Sequence, residues 1–237
     1  MTAAIAVEGL RKRFGGLTAL DGVDLAAQPA EVLGIIGVNG AGKTTLMNCI
    51  CGIYRADEGR VLIGGRDMTG LPPHEIARAG VGRTFQIPRV FGKMSLIDNL
   101  LVPVLGRDAS DRLLIEQAEA MLERMRLLDL RHNFAEELSG GQQKLLEMAR
   151  MLMPSPKVVM LDEPFAGVHP TLCRFMIDQI EVMAAEGNAV LLISHDLTSI
   201  YRLSNRVVAL NAGRVIAEGS VGEIRGNPAV VEAYLGA

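Results

Sequence analysis

The stretch Gly37-Val38-Asn39-Gly40-Ala41-Gly42-Lys43-Thr44-Thr45 restricts the folds open to this chain more than any other. An apolar run, Val32-Leu33-Gly34-Ile35-Ile36, precedes it and reads as a buried strand. After it, Leu46, Met47, Ile50 and Cys51 recur at helical spacing until Gly52 stops the pattern. Strand, glycine loop and helix in this order form a cradle for an anion. Glycines at 37, 40 and 42 lack the Cβ atoms that would hold N–H groups away from phosphate oxygens, and they permit the positive φ values of an anion nest. Lys43 can then reach the outer phosphates and Thr44 can offer a hydroxyl to Mg²⁺. The helix start adds unsatisfied N–H groups and the positive end of its dipole. The competing reading is a flexible glycine turn.

With 237 residues, 49% of them hydrophobic, the chain can bury a core without a disulfide or metal staple, and one domain over 1–237 is expected. A net charge of −3 does not advertise the broad basic surface of a dedicated nucleic-acid binder, and an ordinary soluble surface is expected. Cys49, Cys51 and Cys173 are odd in number, and the first two point apart on a helix, so reduced thiols are expected. No histidine cluster accompanies them, which argues against structural zinc. No cationic leader with an apolar stretch opens the chain, and no window approaches about 18 uninterrupted apolar residues. The expectation is a chain that neither spans a membrane nor leaves the cell.

Taken in order, Ile5–Leu10 and Val23–Leu25 read as short strands joined by a charged turn, Arg11 to Gly16. Phe14 in that turn can stack on an adenine ring or serve as a core residue. A strand at Arg60–Ile63, a Gly64-Gly65 turn and a helix after Pro72-Pro73 follow. At Gly82-Arg83-Thr84-Phe85-Gln86-Ile87-Pro88 strand character gives way to a hinge-like loop. Ser95 to Met153 is mainly helical, with an apolar stripe of Ile115, Ala118, Met121, Leu122 and Met125, and reads as an inserted helical subdomain over about 88–153.

Leu138-Ser139-Gly140-Gly141-Gln142 opens a further helix. Ser139 suits an N-cap, but the two glycines each cost helix stability of about 1 kcal/mol relative to alanine. Bare N–H groups that receive an anion would justify them; a loosely capped helix is the alternative. Val158 to Leu161 is an apolar run without polar alternation, as in a strand buried on both faces, and it delivers Asp162 and Glu163 to the carboxyl edge where open α/β sheets bind ligands. One carboxylate suits a metal shell and the other can polarise a water. Ala189–Ile193 repeats the pattern and delivers His195, which can contact a γ-phosphate, orient water or be structural. Strands at Val207–Leu210 and Arg214–Ala217 and two short helices finish the chain, the first helix opened by a Ser220/Glu223 capping box.

These elements together resemble the nucleotide-binding subunits of ATP-binding-cassette (ABC) transporters over essentially the whole chain. The matching motifs are the Walker A loop Gly37–Thr44, the glutamine loop at Gln86, the signature Leu138–Gln142, Walker B at Val158–Asp162 with Glu163, and the switch histidine His195. The resemblance implies an α/β P-loop NTPase with a RecA-like core, an N-terminal antiparallel β subdomain and the inserted helical subdomain. It implies ATP and Mg²⁺ as cofactors, with Phe14 stacking on adenine and Gly37, Asn39, Gly40, Ala41, Gly42, Lys43, Thr44 and Thr45 around the phosphates. Thr44, Gln86 and Asp162 serve the metal, Glu163 is the general base, and His195 senses the γ-phosphate. Lys43 and Gln86 belong to the same catalytic group.

The resemblance further implies a head-to-tail dimer with an identical or homologous subunit, in which Ser139, Gly140, Gly141 and Gln142 close over ATP held by the other subunit's loop. The other implied partners are integral-membrane permease subunits and, indirectly, a periplasmic substrate-binding protein. The expected place is the cytoplasmic face of the inner membrane, with no nucleic acid involved. Gly82–Gln86, the Gln142-Gln143 pair and Ala166-Gly167 are similar to the branched-chain amino-acid importer subgroup, whose cargoes extend to urea and short amides. Lipopolysaccharide export, or a soluble ATPase of DNA repair or translation, is the alternative. His169 stands in the D-loop region where many members carry Asp. Ile87, Val90, Phe91, Met94, Leu96 and Ile97 are expected either to form a groove for a permease helix or to fill a subdomain core.

Overall fold

The computed structural model describes residues 2–235. In chain order its elements are β1 (Ile5–Phe14), β2 (Leu17–Ala27), β3 (Val32–Ile36), α1 (Lys43–Ile50), β4 (Glu58–Ile63), β5 (Arg66–Asp67), α2 (Pro73–Arg78) and β6 (Val81–Arg83). A helical stretch follows, α3 (Leu96–Leu101), α4 (Asp111–Arg124) and α5 (Gly140–Leu152). Then come β7 (Val158–Asp162), α6 (Pro170–Ala185), β8 (Ala189–Ile193), α7 (Leu197–Leu203), β9 (Arg206–Asn211), β10 (Arg214–Gly219), α8 (Val221–Arg225) and α9 (Pro228–Leu235).

The strands form two sheets. One has the order β2-β1-β4-β5 and is antiparallel. The other has the order β10-β9-β3-β8-β7-β6 and is parallel except for β10, which pairs antiparallel with β9. Every residue of β3, β7 and β8 is buried, as continuous apolar runs require when both sheet faces are covered. Because successive side chains point to opposite faces, each strand divides its residues between two apolar clusters. Val32, Ile36, Val159, Leu161, Val190 and Leu192 face the helical side, with Met176 and Ile177 of α6 and Leu145 and Leu146 of α5. Leu33, Ile35, Val158, Met160, Leu191 and Ile193 face α1 and the antiparallel sheet.

Three local expectations need correction. Arg11–Phe14 is strand, and the turn is confined to Gly15-Gly16, because Arg11 pairs with Asp21 and Lys12 with Leu20 across the β1–β2 ladder. On α4 the buried stripe is Leu114, Ala118 and Leu122, continued by Met125, whereas Ile115 is exposed; the stripe is rotated by one residue at its start. The strand expected at Arg60–Ile63 begins earlier, at Glu58.

Candidate active site

Parallel pairing aligns the carboxyl ends of β3, β6, β7 and β8, and the loops that leave them meet at a cleft of about 500 Å³. Its walls include Asn39, Gly40, Ala41, Gly42, Lys43, Thr44, Thr45, Gln86, Asp162 and Glu163, with Phe14 and Thr18 from the antiparallel sheet. The three loop glycines have different reasons. A Cβ at Gly37 would stand 2.3 Å from the Leu210 carbonyl oxygen, and one at Gly42, where φ is +103°, would stand 2.6 Å from that of Ala19. Gly40, with φ of +82°, has nothing within 4 Å of such a Cβ and faces open space. Two glycines therefore let the loop pack against neighbouring main chain, and the third is required by its positive φ alone.

The start of α1 has no side-chain cap and no acidic residue in its first turn. Its first N–H groups are thus open to an anion. Lys43 Nζ donates to the carbonyls of Gly37 (2.6 Å) and Val38 (2.9 Å). Burial lowers the Lys43 pKa, against the opposing pull of the Glu163 and Asp162 carboxylates.

At the end of β7, Asp162 is buried and its carboxyl is pushed upward by desolvation, which the adjacent Arg83 guanidinium opposes at 3.1 Å. Glu163 takes a φ of +50°, a left-handed conformation that costs about 1 kcal/mol in a side-chain-bearing residue. Its Oε2 accepts the His195 main-chain N–H at 3.2 Å and lies 2.7 Å from His195 Nδ1. The structure thus brings Lys43, Thr44, Gln86, Asp162, Glu163 and His195 to one sheet edge. Phe14 is 42% exposed, edge-on to Tyr54 at 5.2 Å between ring centres, and lines the cleft, so it is not a core residue.

The start of α5 is not bare, as an anion-waiting helix start would be. Ser139 Oγ accepts the Gln142 N–H at 3.4 Å, and Gln142 Oε1 accepts the Ser139 N–H at 3.0 Å, which closes a capping box. Only the Gly140 and Gly141 amides of the first turn stay outside the box. A Cβ on Gly140 would meet nothing within 4 Å, whereas one on Gly141 would meet Leu172 Cδ2 at 2.6 Å. Gly140 is thus an open surface and Gly141 a packing contact.

A family pattern described as an ABC transporter matches residues 20–166, and a second, described as a branched-chain amino acid ATP-binding cassette transporter, matches residues 214–237. This chain belongs to the ABC transporter ATP-binding family. It is 41% identical to a probable branched-chain amino acid transport ATP-binding protein LivG of Archaeoglobus fulgidus, over 97% of this chain and 94% of that protein. It is 40% identical to the high-affinity branched-chain amino acid transport ATP-binding protein BraF of Pseudomonas aeruginosa, over 97% of this chain and 96% of that one. Among solved structures, a nucleotide-free ATP-binding cassette of an ABC transporter superposes with a TM-score of 0.90 at 35% identity, with full coverage of both chains. An ATP-binding cassette in its ADP conformation gives 0.89, also at 35% identity and full coverage.

In this ABC cassette, several site neighbours escape sequence reasoning. Arg83 links Asp162 to Asn48, whose Oδ1 accepts from the guanidinium at 2.6 Å. Lys144 is buried and donates to the carbonyls of Glu163, Pro164 and Ala166 at 3.0, 3.1 and 2.8 Å. Glu147, also buried, accepts main-chain N–H groups on either side of Gln86. The available signal was polar residues at 144 and 147 on the otherwise apolar buried face of α5. His169 is the N-cap of α6, with Nδ1 accepting the Thr171 N–H at 3.4 Å, so it fills a capping place that an Asp also fills. Of the apolar residues after Gln86, Ile87 and Phe91 are exposed, while Leu96 is fully buried and Val90 and Ile97 pack on the core. Cys49, Cys51 and Cys173 are free thiols, and no helix among the described residues is long and apolar enough to cross a membrane.

Proposed function

We propose that this chain is the ATP-binding and ATP-hydrolysing subunit of an importer for branched-chain amino acids. The observation that carries the reading is the meeting of Lys43, Asp162 and Glu163 on one cleft, with the Glu163 carboxylate held 2.7 Å from His195. The cargo assignment is supported by relatives whose names specify branched-chain amino acid transport and by the subgroup match at residues 214–237.

Phe14 stacks on the adenine, and the amides of the loop from Gly37 through Thr45 surround the phosphates. The Lys43 ammonium exchanges its two loop carbonyls for phosphate oxygens. The Thr44 hydroxyl, Gln86 amide and Asp162 carboxylate are hard oxygen donors on one cleft, a set that suits Mg²⁺. When bound, that ion neutralises charge on the phosphates. Glu163 takes a proton from the water that attacks the γ-phosphate, and His195 holds its carboxylate in place. Ser139, Gly140, Gly141 and Gln142 of a second subunit close over the nucleotide, so that two-fold symmetry gives two composite sites. Hydrolysis removes the contact that favours the closed dimer and lets it open.

Through Gln86 and the exposed Ile87 and Phe91, the motion passes to permease subunits, which places the chain peripherally on the cytoplasmic face of the inner membrane. A periplasmic binding protein delivers the cargo on the other side, and no nucleic acid takes part. In Glu163→Gln, turnover falls by ~10²–10⁴, the span of a lost general base, while ATP binding persists and ATP drives dimerisation. ATPase assays and sizing with and without ATP check this; a strictly monomeric variant with normal turnover contradicts the scheme. For cargo, binding protein loaded with leucine, isoleucine or valine must stimulate the assembled transporter, and stimulation only by urea or amides reassigns it.

A further inference from the structure

The segment that carries Gln86 is fastened to α5 by a buried carboxylate. Glu147 is 2% exposed; its Oε2 accepts the Phe85 N–H at 3.2 Å and its Oε1 accepts the Arg89 N–H at 2.8 Å. The two amides stand on either side of Gln86. One turn further along α5, Arg150 donates to the Arg89 carbonyl, and its guanidinium lies 4.9 Å from the centre of the Phe91 ring. Burial raises the Glu147 pKa, and the two amides, with Arg150 and Lys144, draw it back. A carboxylate can accept both N–H groups with separate oxygens, whereas a glutamine has one carbonyl oxygen to offer.

The same helix begins at the Ser139 capping box, and through Lys144 it holds the carbonyls of Glu163, Pro164 and Ala166. One rigid element therefore touches the Gln86 segment, the loop after the general base and the surface offered to the partner's nucleotide. We propose that Glu147 is a positioning residue for ATP hydrolysis: it locks the main chain on both sides of Gln86 to α5, so that Gln86 is in place only when Ser139–Gly141 is seated. This rests on the role given to Gln86 above.

The test is a double-mutant cycle in the full chain with Gln86→Ala, Glu147→Gln and the pair. Glu147→Gln lowers kcat by roughly 10- to 100-fold, as a small misplacement of a reacting group does, and raises the Mg²⁺ concentration for half-maximal turnover. ATP affinity by direct titration stays within about twofold, and the pair is no worse than Gln86→Ala alone, because the residue being positioned is gone. Glu147→Asp keeps the buried charge but reaches less far, and it gives a smaller drop in the same direction. It replaces Glu147→Gln in the cycle should that variant not fold. Losses that multiply in the pair, or Glu147 variants with wild-type kcat and Mg²⁺ dependence, overturn the proposal while leaving Gln86 its role. A Gln86→Ala chain with wild-type kcat and Mg²⁺ dependence overturns both.

Discussion

The two helix starts that the proposed function assigns to phosphate, α1 at Lys43 and α5 at Gly140, are built in opposite ways. Gly42 precedes α1 in a left-handed conformation with no side-chain cap, inside a cleft that holds two carboxylates and a lysine. Ser139 precedes α5 in an extended conformation and closes a capping box with Gln142, at the exposed surface. The first four amides of any helix lack partners within it. At α1 no side chain caps them, which leaves them to water or an anion; at α5 the protein satisfies what it can and leaves the Gly140 and Gly141 amides. An uncapped start suits an anion held tightly within one subunit. A capped start survives exposure to water and suits a surface that engages and releases with each turnover.

The largest break in this comparison is expected from Lys43→Ala. Removing a charge-assisted hydrogen bond worth about 1.5–3 kcal/mol weakens ATP binding by roughly 10- to 100-fold, measured by direct titration of the full chain. Gly140→Ala acts on the other start, and ATP binding to one subunit stays near wild type. Equal losses of affinity in the two variants would show that the starts are not divided between holding and closing.

The two glycine positions sharpen the contrast further. In Gly42→Ala the new methyl meets the Ala19 carbonyl at 2.6 Å, at a φ of +103°. Overpacking and a left-handed alanine together cost about 2–5 kcal/mol, which lowers Tm by several degrees or more in a thermal melt. Gly140→Ala, with nothing within 4 Å, raises stability by up to ~1 kcal/mol while turnover at dimer-forming concentrations falls roughly tenfold. A Gly140→Ala chain with full turnover would remove the trans role from α5.

The sequence made the parallel sheet and its loops legible because the signals there are local. Val158–Leu161 and Ala189–Ile193 are unbroken apolar runs, and the loop from Gly37 to Thr45 carries its spacing within itself. What it hid was set by distant partners. Arg11 and Lys12 read as turn residues, yet their cross-strand pairing with Asp21 and Leu20 extends β1 to Phe14. Glu147 stands out on the apolar face of α5, but its spacing does not name the Phe85 and Arg89 amides that fold against it. The capping box at Ser139 is legible, since Gln142 lies at the N3 position of the pattern, although the two glycines between them are what a bare helix start would also carry. For β1 and Glu147 the decisive fact is which distant group satisfies a polar atom, and single-chain spacing does not encode that; the capping box is local, and its spacing does.

The smallest expected effect belongs to Ser139→Ala, and it tests how the capped start takes part. In the free chain the substitution removes one side of the box and costs about 1 kcal/mol of stability. Ser139 Oγ also donates to Gln142 Oε1 at 2.9 Å, an oxygen that already accepts the Ser139 N–H. A hydroxyl that turns to a partner's phosphate therefore gives up a bond whose acceptor stays satisfied. The exchange is nearly balanced, so Ser139→Ala placed on Glu163→Gln weakens ATP-driven dimerisation by only about fivefold, the worth of one net hydrogen bond. Sizing against ATP concentration reads this directly. A loss as large as that of Lys43→Ala would mean that α5 binds its phosphate as α1 does, and that the capping box opens completely when the dimer closes.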